Sequence, residues 1–159
     1  MEDRDAVRLA LAQARLAAAE GEVPVGAVVL APDGRVLGAG RNRREAQHDP
    51  LAHAEVVALR EAARTAGDWR LDGCTLVATL EPCTMCAGAL LESRVRRLVF
   101  GAWDEKAGAV GSVLDVLRDR RVGAAVEVVA GVLADECAAV LADFFAVRRA
   151  SPGPTPSRG

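Results

Sequence analysis

Thr75-Leu76-Val77-Ala78-Thr79-Leu80-Glu81-Pro82-Cys83-Thr84-Met85-Cys86 runs a β-branched apolar stretch into a proline and two cysteines spaced Cys-x-x-Cys. Thr75 to Leu80 predicts a strand, because β-branched and apolar residues in a short run suit a pleated, buried surface. Thr84 to Glu92, rich in alanine and leucine, predicts a helix. Pro82 suits the start of that helix, where a missing N–H is no loss. Val95 to Phe100 predicts the next strand, so the centre of the chain reads strand, helix, strand.

The same reading extends to both sides. Val7, Ala10, Leu11, Ala14, Ala17 and Ala18 recur at helical spacing, which predicts a helix over roughly 2–20 that ends at Gly21. Val25 to Leu30 and Arg35 to Gly40 are strand-like and flank Ala31-Pro32-Asp33-Gly34, a turn signal, so they form a hairpin. Arg41 to Leu51 reads as a loop. A helix follows from His53 to Ala66 with Val56, Leu59 and Ala63 on one face, ending before Gly67. Val126 to Ala130 predicts a last strand and Ala134 to Arg149 a last helix. Strands alternating with helices imply an α/β domain layered around one mixed sheet of about five strands. Residues 1–149 are expected to form this single domain. The segment 150–159 holds three prolines, cannot bury apolar area, and is expected to be a disordered tail.

A chain of 159 residues suits one domain with a single sizeable core. No apolar run approaches the ~20 residues of a membrane helix. Met1-Glu2-Asp3-Arg4-Asp5 has neither the basic nor the apolar part of a signal peptide, so a cytoplasmic location is expected. There Cys74, Cys83, Cys86 and Cys137 are metal ligands or buried thiols rather than disulfides. The net charge of −2 gives no basic footprint for nucleic acid as a whole. Arginines nonetheless cluster at Arg41/Arg43/Arg44, Arg94/Arg96/Arg97, Arg118/Arg120/Arg121 and Arg148/Arg149. Charge runs of this kind usually mark solvated faces.

His53-Ala54-Glu55 lies 30 residues before Cys83. His53, Cys83 and Cys86 are three ligands of the kind zinc takes in catalytic sites, where a fourth position stays open to water. Two thiolates and a neutral imidazole balance the charge of Zn²⁺, and Glu55 is left over as a carboxylate able to move protons. His53 and Glu55 differ by roughly 200° around a helix, so they share a site only if the helix points at it end-on. Two helix N-termini then face the metal, and their dipoles favour thiolate over thiol. A Cys-x-x-Cys redox pair would leave His53 and Glu55 unexplained. A closed structural Cys₃His site would require Cys74 or Cys137, neither of which sits in a second ligand pair.

With these motifs the chain resembles the cytidine deaminase superfamily, and more closely its bacterial tRNA-specific adenosine deaminases. The resemblance runs from about Ala6 to Arg149. It includes Glu22-Val23-Pro24-Val25-Gly26-Ala27, Asn42-Arg43, Asp49-Pro50, His53-Ala54-Glu55, Thr79-Leu80-Glu81-Pro82-Cys83, Cys86-Ala87-Gly88-Ala89, Asp104, Lys106 and Gly111-Ser112. It implies a three-layer α-β-α fold, a homodimer, one Zn²⁺ per chain on His53, Cys83 and Cys86, and proton shuttling by Glu55. It further implies that Asn42 and the Ala54 N–H orient a flipped purine, and that Asp104 meets the neighbouring nucleotide. The implied reaction is hydrolytic deamination of adenosine to inosine at the wobble position of a tRNA anticodon. Trp103 is a candidate base platform, with core or interface packing as its other reading. Two departures fall at expected RNA contacts: Gly123-Ala124-Ala125 stands where the family commonly has polar and cationic residues, and Ala146 where an arginine often stands. The first keeps open a deaminase of a free nucleobase or nucleoside; a third reading, a zinc-stabilised binding subunit without activity, is opposed by Glu55, since such a subunit has no need of a proton-moving carboxylate.

Overall fold

The computed structural model describes residues 1–123 and 125–150. Helix α1 (Asp3–Ala19) leads into the hairpin of β1 (Gly26–Leu30) and β2 (Val36–Arg41). After it come a short helix α2 (Arg44–Gln47), α3 (Ala54–Ala66), β3 (Thr75–Leu80), α4 (Thr84–Glu92), β4 (Arg97–Ala102), β5 (Glu127–Val129) and α5 (Ala134–Ala150). One five-stranded sheet has the order β2-β1-β3-β4-β5. β1 is antiparallel to β2 and β3, while β3, β4 and β5 run parallel. This is the mixed α/β sheet expected from the sequence. Helices α1 and α5 cover one face, where Val7, Ala10 and Leu11 meet Val28, Val77 and Val99. Helices α3 and α4 cover the other, where Ala58, Ala62, Ala87 and Leu90 meet Ala27, Leu76, Leu98 and Phe100. The molecule therefore has three layers, and no helix among the described residues is long and apolar enough to cross a membrane.

Four local readings change. First, α3 buries Ala54, Glu55, Ala58, Leu59 and Ala62, whereas Val56 and Ala63 are only partly buried. The cause lies in β2: Gly38 and Gly40 have no side chains, so the alanine stripe of α3 settles against the strand backbone. Second, β4 begins at Arg97 instead of Val95. Arg94 takes a left-handed φ of 63°, and the N–H groups of Arg94 and Val95 bond the carbonyls of Leu91 and Leu90. This double bond is the Schellman closure of a helix C-terminus, so Val95 ends α4 before the strand can start. Third, the loop 41–51 contains α2, whose first turn is held by a buried acid described below. Finally, α5 includes Ala150, the first residue assigned to the tail; residues 151–159 and Ala124 lie outside the described residues.

Candidate metal centre and active site

The fold brings three groups that could hold a metal, His53, Cys83 and Cys86, to one point. His53 is the N-cap of α3 and Cys83 the N-cap of α4, both with extended backbone, and Cys86 sits one turn into α4. As expected from the spacing, the two helices meet the site end-on. His53 Nδ1 lies 3.6 Å from Cys83 Sγ and 3.5 Å from Cys86 Sγ, and the three donor atoms all fall within 4.8 Å of one another. With Zn–S near 2.3 Å and Zn–N near 2.05 Å, the N to S edge of a zinc tetrahedron is about 3.6 Å. The donor set therefore fits zinc in spacing as well as in chemistry.

The electrostatics agree with that fit. The Cys86 thiol, followed by His53, holds Cys83 down at about 3. Cys86 is pushed up, first by its hydrogen bond with Cys83 and then by burial. Two sulfurs with one proton between them are already half-way to the dithiolate that a soft dication binds. His53 is raised by the Cys83 sulfur, against burial, with help from Glu55. Glu55 is 4% exposed, and its Oε2 accepts from Cys86 Sγ at 2.9 Å. Burial is the main cause pushing its carboxyl above the ordinary value, the direction that favours uptake of a proton.

Beside the ligands opens a cavity of about 180 Å³, lined by His53, Ala54, Glu55, Cys83, Asn42, Arg44, Asp104 and Ala107 among others. That is smaller than the ~300–1,000 Å³ of drug-sized sites, so it admits a base more readily than a whole nucleotide. Asn42 is 8% exposed, and its Oδ1 accepts from the Arg44 N–H at 3.2 Å. It does not adopt a left-handed conformation, but this bond to the backbone two residues on is an Asx turn, so Asn42 shapes the loop as well as lining the cavity. Ala54 is the first residue of α3, and its N–H has no acceptor within the helix. Asp104 reaches the cavity wall, while its Oδ1 accepts from the N–H groups of Lys106 and Ala107. Trp103 stands apart from these: half exposed, it packs edge-on against Phe100 with centroids 5.0 Å apart and does not line the cavity.

The arginine clusters separate. Arg97 pairs with Asp3 and Glu127, Arg118 with Asp115, and Arg121 with Asp119. Arg44 lines the cavity. Arg148 donates to the Gly21 carbonyl at 2.7 Å, two residues before the cavity-lining Val23. Sequence reasoning passed over two buried acids, Glu22 and Glu81, both 2% exposed. Glu22 accepts the N–H groups of Ala46 at 2.8 Å and Glu45 at 3.4 Å, and so holds the first turn of α2. Burial raises the Glu81 carboxyl, but hydrogen bonds from Ser112, Asp104 and Val110 outweigh it and leave the group below its ordinary value. Both fall inside stretches that carry the family resemblance, but nothing in their local pattern marks them as buried.

Two capped helices that present His-x-Glu and Cys-x-x-Cys to one point, next to a cavity of this size, are the apparatus of a zinc-dependent deaminase. Comparison with known proteins agrees: the model of the cytidine and deoxycytidylate deaminase zinc-binding region matches residues 1–102, and the chain belongs to that family. It is 49% identical over 147 residues to the tRNA-specific adenosine deaminase of Haemophilus influenzae, covering 92% of this chain and 85% of the relative. A solved structure from work on A-to-I editing by tRNA:A34 deaminases at the wobble position superposes with a TM-score of 0.83 at 42% identity. That match covers 86% of this chain and 99% of the other. A guanine deaminase from Nitrosomonas europaea gives a TM-score of 0.75 at 30% identity, over 90% of this chain and 84% of the other.

Proposed function

We propose that this chain deaminates adenosine to inosine at the wobble position of a tRNA anticodon, as a cytoplasmic homodimer with one zinc ion per chain. The observation that carries the reading is the likeness along nearly the whole chain to proteins described as tRNA adenosine deaminases, stronger than that to the guanine deaminase. Arg44, which lines the cavity, supports it, since a cation there can meet a phosphate beside the flipped base.

His53, Cys83 and Cys86 would hold the zinc, which supplies Lewis acidity and lowers the pKa of water. The chain's own residues do the rest. Asn42 and the Ala54 N–H orient the purine, and the small cavity keeps its ribose outside. Glu55 takes one proton from the attacking water as the water oxygen bonds to C6 and passes it to the ring nitrogen, then takes the second proton from that oxygen and delivers it to the amine. The C6–N bond breaks, ammonia leaves, and inosine remains.

The test is an anticodon stem-loop with adenosine at the wobble position, incubated with zinc-loaded protein. Inosine should form, and the rate should fall steeply as salt rises, because phosphate contacts release counterions. A free-base deaminase remains the second reading, favoured by the small side chains at Gly123 and Ala125. Ammonia released from free guanine, cytosine or adenine, with RNA untouched, would select it and overturn the first.

A further inference from the structure

Glu81 takes part in neither the ligand set nor any ion pair among the described residues. Its oxygens serve one segment of backbone instead. Oε1 accepts the Asp104 N–H at 3.0 Å and the Ser112 hydroxyl, and Oε2 accepts the N–H groups of Val110 at 3.0 Å and Ser112 at 3.1 Å. Both ends of the 104–112 segment are thus drawn to one carboxylate. Between them, Gly108 lies face-on to it, so close that a Cβ there would overlap the carboxyl group. Within the segment, the Asp104 carbonyl accepts the Gly108 N–H at 2.9 Å, and the Asp104 carboxylate accepts the Lys106 and Ala107 N–H groups. Asp104 and Ala107 both line the cavity.

We propose that Glu81 is a positioning residue for substrate selection: through the 104–112 segment it fixes Asp104 and Ala107 as one wall of the base cavity. The inference rests on the reading that the cavity receives a purine from RNA. Glu22 stands in the same relation to another part of the wall. It caps α2, which begins at Arg44 two residues after Asn42, so two separate buried acids hold two separate lining segments.

Glu81→Gln tests the idea because an amide can satisfy only part of this arrangement. Its oxygen can replace Oε2 and accept from Val110 and Ser112. Its nitrogen then replaces Oε1, where the Ser112 hydroxyl can turn to accept but the Asp104 N–H meets another donor. The damage should therefore fall on Asp104. Expected for E81Q are unchanged zinc content, kcat at saturating stem-loop within about twofold of wild type, and KM raised about tenfold. The Asp104 amide should also exchange with deuterium about tenfold faster. Glu22→Gln should leave that amide protected. Should E81Q fail to fold, Ser112→Ala removes one of the four bonds and should raise KM and Asp104 exchange by smaller factors. Wild-type KM together with wild-type Asp104 protection, in E81Q or, failing that, in S112A, would overturn the proposal. So would a loss confined to kcat. If the wild-type protein makes no inosine, the tRNA reading fails, while exchange at Asp104 still decides whether Glu81 positions the wall.

Discussion

Replacing Gly40 by alanine should damage the metal centre without touching a ligand. Gly40 lies in β2 under the first turns of α3, and a Cβ there would overlap the Ala54 carbonyl and sit 2.6 Å from the Ala58 nitrogen. Optimal contact between heavy atoms begins near 3.5 Å, so the helix must retreat by about 1 Å. The opposing atoms are backbone and cannot swing aside as a side chain would. Overpacking of this kind costs about 1–3 kcal/mol, which for a domain of this size lowers Tm by roughly 2–4 °C per kcal/mol. His53 and Glu55 flank Ala54 and move with it, whereas Cys83 and Cys86 ride on α4. Metal–ligand distances tolerate only about 0.2 Å, so zinc affinity should fall by tenfold or more. Gly26→Ala is the control. A Cβ on Gly26 would overlap the Ala10 carbonyl, but α1 carries none of the proposed site residues. G26A should therefore lower Tm and leave zinc affinity unchanged. Calorimetry and chelator competition on both variants decide the matter. If G40A keeps wild-type zinc affinity, the glycine floor of β2 does not set the position of His53.

Three further outcomes can be checked directly. Glu55→Ala should keep zinc, by elemental analysis, and lose about 10²–10⁴-fold in turnover, the usual scale of a proton-transfer group; retained turnover would remove Glu55 from the mechanism. Gly88→Ala, inside α4 where a Cβ meets nothing within 4 Å, should stabilise by about 0.5–1 kcal/mol through helix propensity alone, and a fall in Tm would show that the site is not open. Asp3 is held below its ordinary value by its hydrogen bond to Arg97. A lowered carboxyl contributes stability above its unfolded pKa and loses it as pH falls through the folded one. Asp3→Asn should therefore cost about 0.5–1 kcal/mol at pH 7, and denaturant titrations should show that difference shrinking as pH falls below the ordinary carboxylate range.

Much of this molecule can be read from local pattern. Thr75–Leu80 and Thr84–Glu92 fall where propensity places them, because the proline and cysteines between them mark one boundary sharply. His53 and Glu55 were legible as end-on residues because helix geometry forbids them a shared lateral face. The misreadings have long-range causes. The buried face of α3 depends on Gly38 and Gly40, which lie in another element and carry no periodic signal of their own. α2 was hidden because its first turn is held by Glu22, some twenty residues earlier, and short helices seldom form on propensity alone. Val95 has the composition of a strand residue, but it is used to close α4.

The site separates chemistry from selection in its mechanical support. The proposed ligands and Glu55 stand at the first turns of α3 and α4, helices packed against the buried residues of the sheet, so their geometry is fixed by the core. Asn42, Asp104 and Ala107 stand on loops, and Arg44 opens the short helix α2, outside the long helices that carry the proposed ligands. Each loop is held by one buried carboxylate through backbone N–H groups. Backbone anchoring leaves the loop side chains free to vary, since an N–H is present whatever residue carries it, proline apart. Substitutions at Arg44 or Ala107 should therefore alter which base or flanking nucleotide is accepted at little cost in zinc binding or turnover. Changes at Gly40 or in the caps of α3 and α4 should impair turnover of every substrate alike.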